Sequence, residues 1–469
     1  MAISSPGVGS GLDVNGIVSK LVALERKPIA NIQSQIGSLQ SSVSAWGQIK
    51  AGLAKLQDAA GKLAAASTWQ ALRAQSSLPD AVSVSAQSGA VSGQYTVQIQ
   101  ALAQAQSTRT VAFNLGEPIG EAGRLEISSG QWSGGLFTAG SGSPVSIAIA
   151  ASDTLSTIAG KINAANAGVR AAVVRSGGEE RLVLRGTNTG QTNGFEIRAF
   201  DTGNNLVTDT STGIGRLAFF EDGGGPVGQT LVQNAADAQA SVEGIAVTSA
   251  SNTFENVLSG ISFTALAVTA QPVTLTVSDD RDGMRKAIED FRTAFNELSR
   301  TIRDLTRSDP TGQGNGPLRG DSAAIGILTM LRRYVSDSVS GNTPATLNEV
   351  GLAFDRNGQL VADATRLDAA LANPQSLAGL FGSGGIGERI RNFARDALAA
   401  SGAATARERS LQDTIKRKNQ EIERIEQRVQ RTEAALRAQY TMLDTKMAGY
   451  SGLSSFINQQ LASWNTTKR

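Results

Sequence analysis

Apolar residues at Leu411, Ile415, Ile422, Ile425, Val429, Leu436 and Leu443 recur at spacings of three, four or seven. That keeps them on one stripe of a helix reaching Leu461. The other faces are charged: Arg417, Glu421, Arg424, Arg428 and Arg431 are flanked by Glu423, Glu426 and Glu433, mixed signs three and four apart as on a solvated helix. A seam this narrow cannot satisfy itself. Burying its apolar residues from Ile415 to Leu443 contributes roughly 1.5–3 kcal/mol each, which a helix alone in water forfeits. The pattern therefore predicts a partner helix. Leu12 to Ala66, at the other end of the chain, has helical spacing, and Pro28 predicts a break within it. Beyond that break Ile29, Ile32, Ile36, Leu39, Val43, Trp46 and Leu53 form a second heptad pattern, with Lys50 as its polar interruption. The two ends are expected to pair as a coiled coil, leaving the chain between them as an insertion on a helical stalk.

From Ala81 the period changes to two, with Val82 and Val84, then Tyr95, Val97 and Ile99, among Ser, Thr and Gly. Strands are predicted over Val145 to Ile149, Val169 to Val174, Arg181 to Leu184, Phe195 to Phe200, Ser241 to Val247 and Pro272 to Val277, with one helix at Leu155 to Ala165. Glycine pairs and triplets at Gly134-Gly135, Gly177-Gly178 and Gly223 to Gly225 cut this region into hairpin-sized pieces. At Asp280 the helical period returns, and Met284, Ile288, Phe291, Phe295, Leu298, Ile302 and Leu305 alternate four and three. A loop over Ser308 to Pro317 follows, then a helix from Ser322 to Val335. Leu352 to Val361 is predicted as a hairpin with positive φ at Asn357-Gly358, and Asp363 to Ala372 as a short helix stopped by Asn373-Pro374. After a Gly-rich break at Gly382 to Gly387 the C-terminal helix is expected to begin.

These elements describe an α+β multidomain chain: N- and C-terminal helices pairing as a coiled-coil leg, a helical bundle domain, and two inserted β-rich head domains. The expected boundaries are 1–70 for the leader and first helix, 71–112 with 235–278 for a discontinuous β domain, and 113–234 for a second β domain inserted in it. The helical domain takes 279–400, and the C-terminal helix 401–469.

Composition narrows the chemistry. The chain has no His and no Cys, so the usual zinc, iron and copper sites and Ser-His or Cys-His nucleophiles are excluded. Its 43 basic and 41 acidic residues argue against a nucleic-acid binder held by bulk electrostatics. No apolar run of about eighteen residues is present, so the chain is not expected to span a membrane. The first residues lack a basic region and an apolar core, which predicts no cleaved secretory signal, only a Ser/Gly-rich leader.

Apparent motifs fail on context. Gly7, Gly9 and Gly11 follow no strand, and read as flexible leader instead of a dinucleotide fingerprint. Ser278 to Gly283 with Glu289 imitates a calcium loop but lacks its leading carboxylate; Asp280 and Asp282 suit a helix start instead. Glu179-Glu180 is expected to be a solvated hairpin tip and no acid–base pair. Trp46 and Trp464 lie on helical segments and are read as packing residues with an interface role open to them. No catalytic residue, cofactor site or metal site is predicted.

Several stretches resemble the flagellar filament cap family, hook-associated protein 2. Gly9-Ser-Gly-Leu-Asp-Val-Asn-Gly-Ile-Val-Ser-Lys-Leu-Val-Ala-Leu-Glu-Arg-Lys-Pro-Ile29 is similar to that family's N-terminal signature, and Tyr95 to Ser107 to its first strand block. Ser146 to Ile197, with Asp153-Thr-Leu leading into the helix, looks like the repeat shared among flagellin and hook proteins. Val350 to Leu360 and the C-terminal helix resemble the family's C-terminal region. The resemblance implies a secreted, non-enzymatic protein that forms a homo-oligomeric ring at the filament tip and helps flagellin fold, insert and stay. It also implies export through the flagellar channel without a cleaved signal, and an export chaperone binding the C-terminal region. A hook-filament junction protein and an adhesin acting through the β domains are the competing readings. The predicted interface is Ile29, Ile32, Ile36, Leu39, Val43, Trp46 and Leu53 with Ile415, Ile422, Ile425, Val429, Leu436 and Leu443. Lys418, Thr432 and Gln439 alternate with Ile425 in that seam and weaken it. From this weakness both terminal helices are expected to order only against the filament or neighbouring subunits.

Overall fold

The computed structural model describes residues 13–466, with side chains to residue 462; the Gly-rich leader and the Trp464 side chain lie outside the described residues. The helices are α1 Val14–Ala64, α2 Ala66–Trp69, α3 Leu155–Ala165, α4 Arg281–Thr306, α5 Ser322–Ser336, α6 Ala364–Leu371, α7 Pro374–Phe381, α8 Ile386–Leu398 and α9 Ala403–Thr466. The chain divides into two compact units. One joins the two ends of the chain, up to Trp69 and from Arg281 onward; the other is Gln70–Asp280.

In the first unit, α1 starts at Asp13, whose carboxylate accepts from the Gly16 N–H at 2.8 Å and caps the helix. It then runs unbroken through Pro28, against the predicted break. The stripe of buried residues explains why: Val14, Val18, Val22, Ile29, Ile32 and Ile36 pass the proline without a change of phase. Pro28 sits on the exposed side, and so does Leu24. The carbonyl that the missing N–H would have bonded is therefore open to water, and the helix continues past the proline.

The far half of α1 enters the main core of this unit. Trp46, Ile49, Leu53, Leu56 and Leu63 are buried with Met284, Ile288, Phe291, Phe295, Leu298 and Ile302 of α4. Gly52 permits the close approach of these two helices, since a Cβ there would lie 2.9 Å from Leu298 Cδ1. Trp69 stacks on Phe381 at 5.4 Å between ring centres. Downstream, Pro374 opens α7 instead of only stopping α6, because proline is suited to the first turn of a helix. A further helix, α8, precedes α9, and the two are separated at Gly402, where a Cβ would meet the Asp396 carbonyl at 2.1 Å. In the hairpin Leu352–Phe354 with Leu360–Ala362, only Gly358 has positive φ, at 68°. Asp355 closes that turn by accepting from the Asn357 and Gln359 N–H groups, both at 2.8 Å.

The second unit contains two hydrophobic cores. One lies between a five-stranded antiparallel sheet and a three-stranded sheet. The larger sheet includes Leu72–Ser76, a strand too polar for its alternation to stand out, paired with Val273–Asp279. Phe254 and Phe263 stack in this core at 4.7 Å. The predicted strand Ser241 to Val247 is instead a hairpin, Ala238–Val242 with Ile245–Ser249, turning at Glu243 and Gly244 with φ of 50° and 80°. The other core is formed by two more sheets and α3, around Phe195, Ile197, Phe219, Leu182 and Ile158. Thr154 caps α3, which occupies the residues its periodicity predicts. At the predicted solvated tip, Glu179 is exposed but Glu180 is buried. The Glu180 carboxylate accepts from Arg175 Nε at 3.2 Å and from the Gly116 N–H at 3.3 Å. Consecutive strand residues face opposite sides, so adjacent glutamates take opposite environments.

Candidate functional site

The site is assembled from the two ends of the chain. α1 and α9 run antiparallel, because Lys50 Nζ meets Glu408 Oε2 at 2.7 Å near one end while Arg437 Nη1 meets Asn15 Oδ1 at 3.1 Å near the other. Between these ties the apolar stripes face each other. Val14, Val18 and Val22 of α1 form a small core with Val429, against which Ile425, Leu436 and Tyr440 pack. Within one chain the seam closes between α1 and α9, and amide exchange over both ends of the free protein tests the expectation that they order only against neighbours.

The predicted interface residues fall into three groups. Ile29, Ile32 and Ile36 are buried along α1, and Val429 is buried opposite; Ile415, Ile422, Ile425 and Leu436 are half-buried. Trp46 and Leu53 are fully buried in the main helical core, with Leu39 and Val43 packed against it. Their spacing continued the heptad, but α4 and α8 also cover that half of α1. Leu443 is exposed, since α1 has ended at its level. Sequence reasoning missed Val14, Val18 and Val22, because the assumed break at Pro28 hid a stripe already in phase.

It also missed Asp321, which carries the polar anchor of the site. Its Oδ1 accepts from the Ala323 and Ala324 N–H groups at 3.1 and 3.3 Å, capping α5. Its Oδ2 accepts from Arg407 Nε of α9 at 2.9 Å and from Trp46 Nε1 of α1 at 3.4 Å. One nearly buried carboxylate thus ties three helices together. A capping aspartate before Ser322 is a visible signal, but its two distant partners are not. Such a surface packs helices against one another; among the described residues no cluster able to hold a metal is present, and no helix is long and apolar enough to cross a membrane.

Family models for the flagellar hook-associated protein 2 N-terminus and C-terminus match residues 10–106 and 235–451, and the flagellin hook IN motif matches residues 137–188. Flagellar hook-associated protein 2 of Escherichia coli K12 is 30% identical over 485 residues, covering 100% of both chains. The chain belongs to the flagellar hook-associated protein 2 family. The A-type family member of Pseudomonas aeruginosa is 27% identical over 97% of each chain. The crystal structure of the D1-D2-D3 domains of the flagellar cap protein FliD from Escherichia coli superimposes with a TM-score of 0.63 and 29% identity. It covers 78% of this chain and 99% of that one, and it supports the α+β architecture described above. These relatives are flagellar cap proteins, which supports a role in capping the flagellar filament.

Proposed function

We propose that this protein is a structural cap at the distal tip of the bacterial flagellar filament, where copies of it oligomerise, promote folding and insertion of flagellin, and prevent its loss. The observation that carries this reading is end-to-end membership of the hook-associated protein 2 family. The antiparallel pair of terminal helices supports it with a long, charged, non-catalytic limb suited to engaging other helices. In this reading α1 and α9 form the leg at the filament end, the β-rich unit forms the plate of the cap, and Ile425, Val429 and Leu436 of the predicted interface, packed with Val14, Val18 and Val22, hold the leg together. The partners are other copies of the chain, flagellin, and an export chaperone at the C-terminal region. The protein acts outside the cell after export through the flagellar channel without a cleaved signal.

A deletion strain tests this. It should shed unpolymerised flagellin into the medium, and added protein should restore filament growth. A variant lacking residues 410–469 should fail to rescue while its β-rich unit still folds. Normal filaments from that variant would remove the leg from the mechanism, and electron microscopy placing the protein at the hook junction would replace the cap reading altogether.

A further inference from the structure

Two guanidinium groups of the helical unit converge on one tight turn. Arg303 comes from the last turn of α4 and Arg332 from α5, and the hairpin Leu352–Phe354 with Leu360–Ala362 carries Gly358 up to both. A Cβ on Gly358 would lie 2.9 Å from Arg332 Nη2 and 3.7 Å from Arg303 Nη1, so both tips border the space that the glycine leaves open. Arg303 Nη1 donates to the Asn357 carbonyl, a neutral acceptor. Arg332 Nε is buried and has no hydrogen-bond partner. Among the described residues neither guanidinium has a carboxylate within 4.0 Å. The acids that flank the pair in sequence are engaged elsewhere: Asp355 Oδ1 accepts from two N–H groups of its own turn, and Asp304 faces Arg300 at 3.7 Å.

We propose that Arg303 and Arg332, with the turn at Gly358, form a binding site for a doubly charged oxyanion, a phosphate or sulfate group, free or esterified. Guanidinium forks match the oxygens of such a group, and two of them on either side of one point call for two negative charges. The buried, unpartnered Nε means that the Arg332 charge is partly withdrawn from water without the acceptor that ordinarily offsets this. An anion at its tip supplies that charge. Gly358 serves twice, since its φ of 68° suits the turn and its missing side chain keeps the space between the tips clear. The dipole of α4 accounts for one cation at its C-terminal end. It does not account for a second one, from another helix, aimed at the same point. Bound there, the anion ties α4, α5 and the hairpin together, so its binding is linked to the stability of the helical unit. This role is separate from capping and takes nothing from that reading.

Full-length protein, held at constant ionic strength and about pH 8 so that phosphate is doubly charged, is titrated with inorganic phosphate and followed by phosphorus NMR line width. Saturable binding is expected. Arg332→Gln and Arg303→Gln should each weaken it at least tenfold with unchanged helix content, while Arg333→Gln, at the exposed neighbouring position, should leave it unaltered. Sulfate should displace the phosphate at least tenfold better than acetate. Glycerol phosphate separates the sources: competition by it shows that an esterified group enters, and failure to compete restricts the site to the free ion. Binding that does not saturate, equal binding by the unmodified chain and both glutamine variants, an equal loss in Arg333→Gln, or acetate competing as well as sulfate would each overturn the proposal. If Arg332→Gln fails to fold, Arg303→Gln decides alone.

Discussion

Replacing Asp321 by alanine tests whether one carboxylate holds the two ends of the chain to the helical core. The substitution removes the α5 cap, worth about 0.5–2 kcal/mol. It also leaves the Trp46 indole N–H unpaired in a side chain with 0% exposure, at a cost of about 1–3 kcal/mol, with the lower end favoured by the 3.4 Å bond. The Arg407 side chain is 42% exposed and rehydrates, so its lost ion pair adds no more than about 1 kcal/mol. The expected destabilisation is therefore about 1.5–5 kcal/mol. Asp321→Asn keeps one acceptor oxygen for the α5 cap but sets an NH2 donor against the Trp46 and Arg407 donors, so it should retain the cap and lose the tie. Urea unfolding followed by tryptophan fluorescence and far-ultraviolet circular dichroism reads the midpoints, with the slope checked for constancy. A loss below about 1 kcal/mol for the alanine variant, or no loss for the asparagine variant, would show that the three-helix tie is not what the geometry implies.

Pro28→Ala should raise the melting temperature, since the helix is continuous there and an interior proline costs about 3 kcal/mol relative to alanine; a lower value would refute this reading. Val429→Asp places a charge at a position with 1% exposure and should speed amide exchange over residues 14–22, leaving the β-rich unit unchanged. Burial alone would raise the Asp153 carboxyl, but Lys161 and the Ala150 N–H at 2.7 Å outweigh it and hold the pKa below its ordinary value. Its contribution is thus present above the unfolded value near about pH 4 and lost as pH falls through the folded one, so Asp153→Asn should flatten the acid limb of stability against pH. Glu196 is the opposite case: burial raises it, Arg198 opposes and Glu221 adds to the rise, and its Oε2 has no hydrogen-bond partner. The charged form therefore costs stability at neutral pH, a cost relieved as pH falls through the raised pKa, and Glu196→Gln should increase the urea midpoint at pH 7 more than at pH 5.

The long periodic elements were legible in the sequence because their signal is local. Met284 to Ile302 and Ile415 to Leu436 repeat one side-chain spacing over many turns, and Leu155 to Ala165 carries its own cap. The absence of His and Cys likewise removed whole classes of chemistry before any fold was known. What the tertiary structure decided was environment. Pro28 stays inside a helix because its exposed side faces water, and Glu180 is buried while Glu179 is not. Trp46 and Leu53 continue a heptad but serve the main core, since α4 closes over that half of α1. Asp321 meets Trp46 and Arg407 across 275 and 86 residues of chain, a meeting that no local pattern records. Spacing along a chain fixes which face of a helix is apolar; which partner covers that face depends on every other element competing for it, and that is settled only when the whole core is packed.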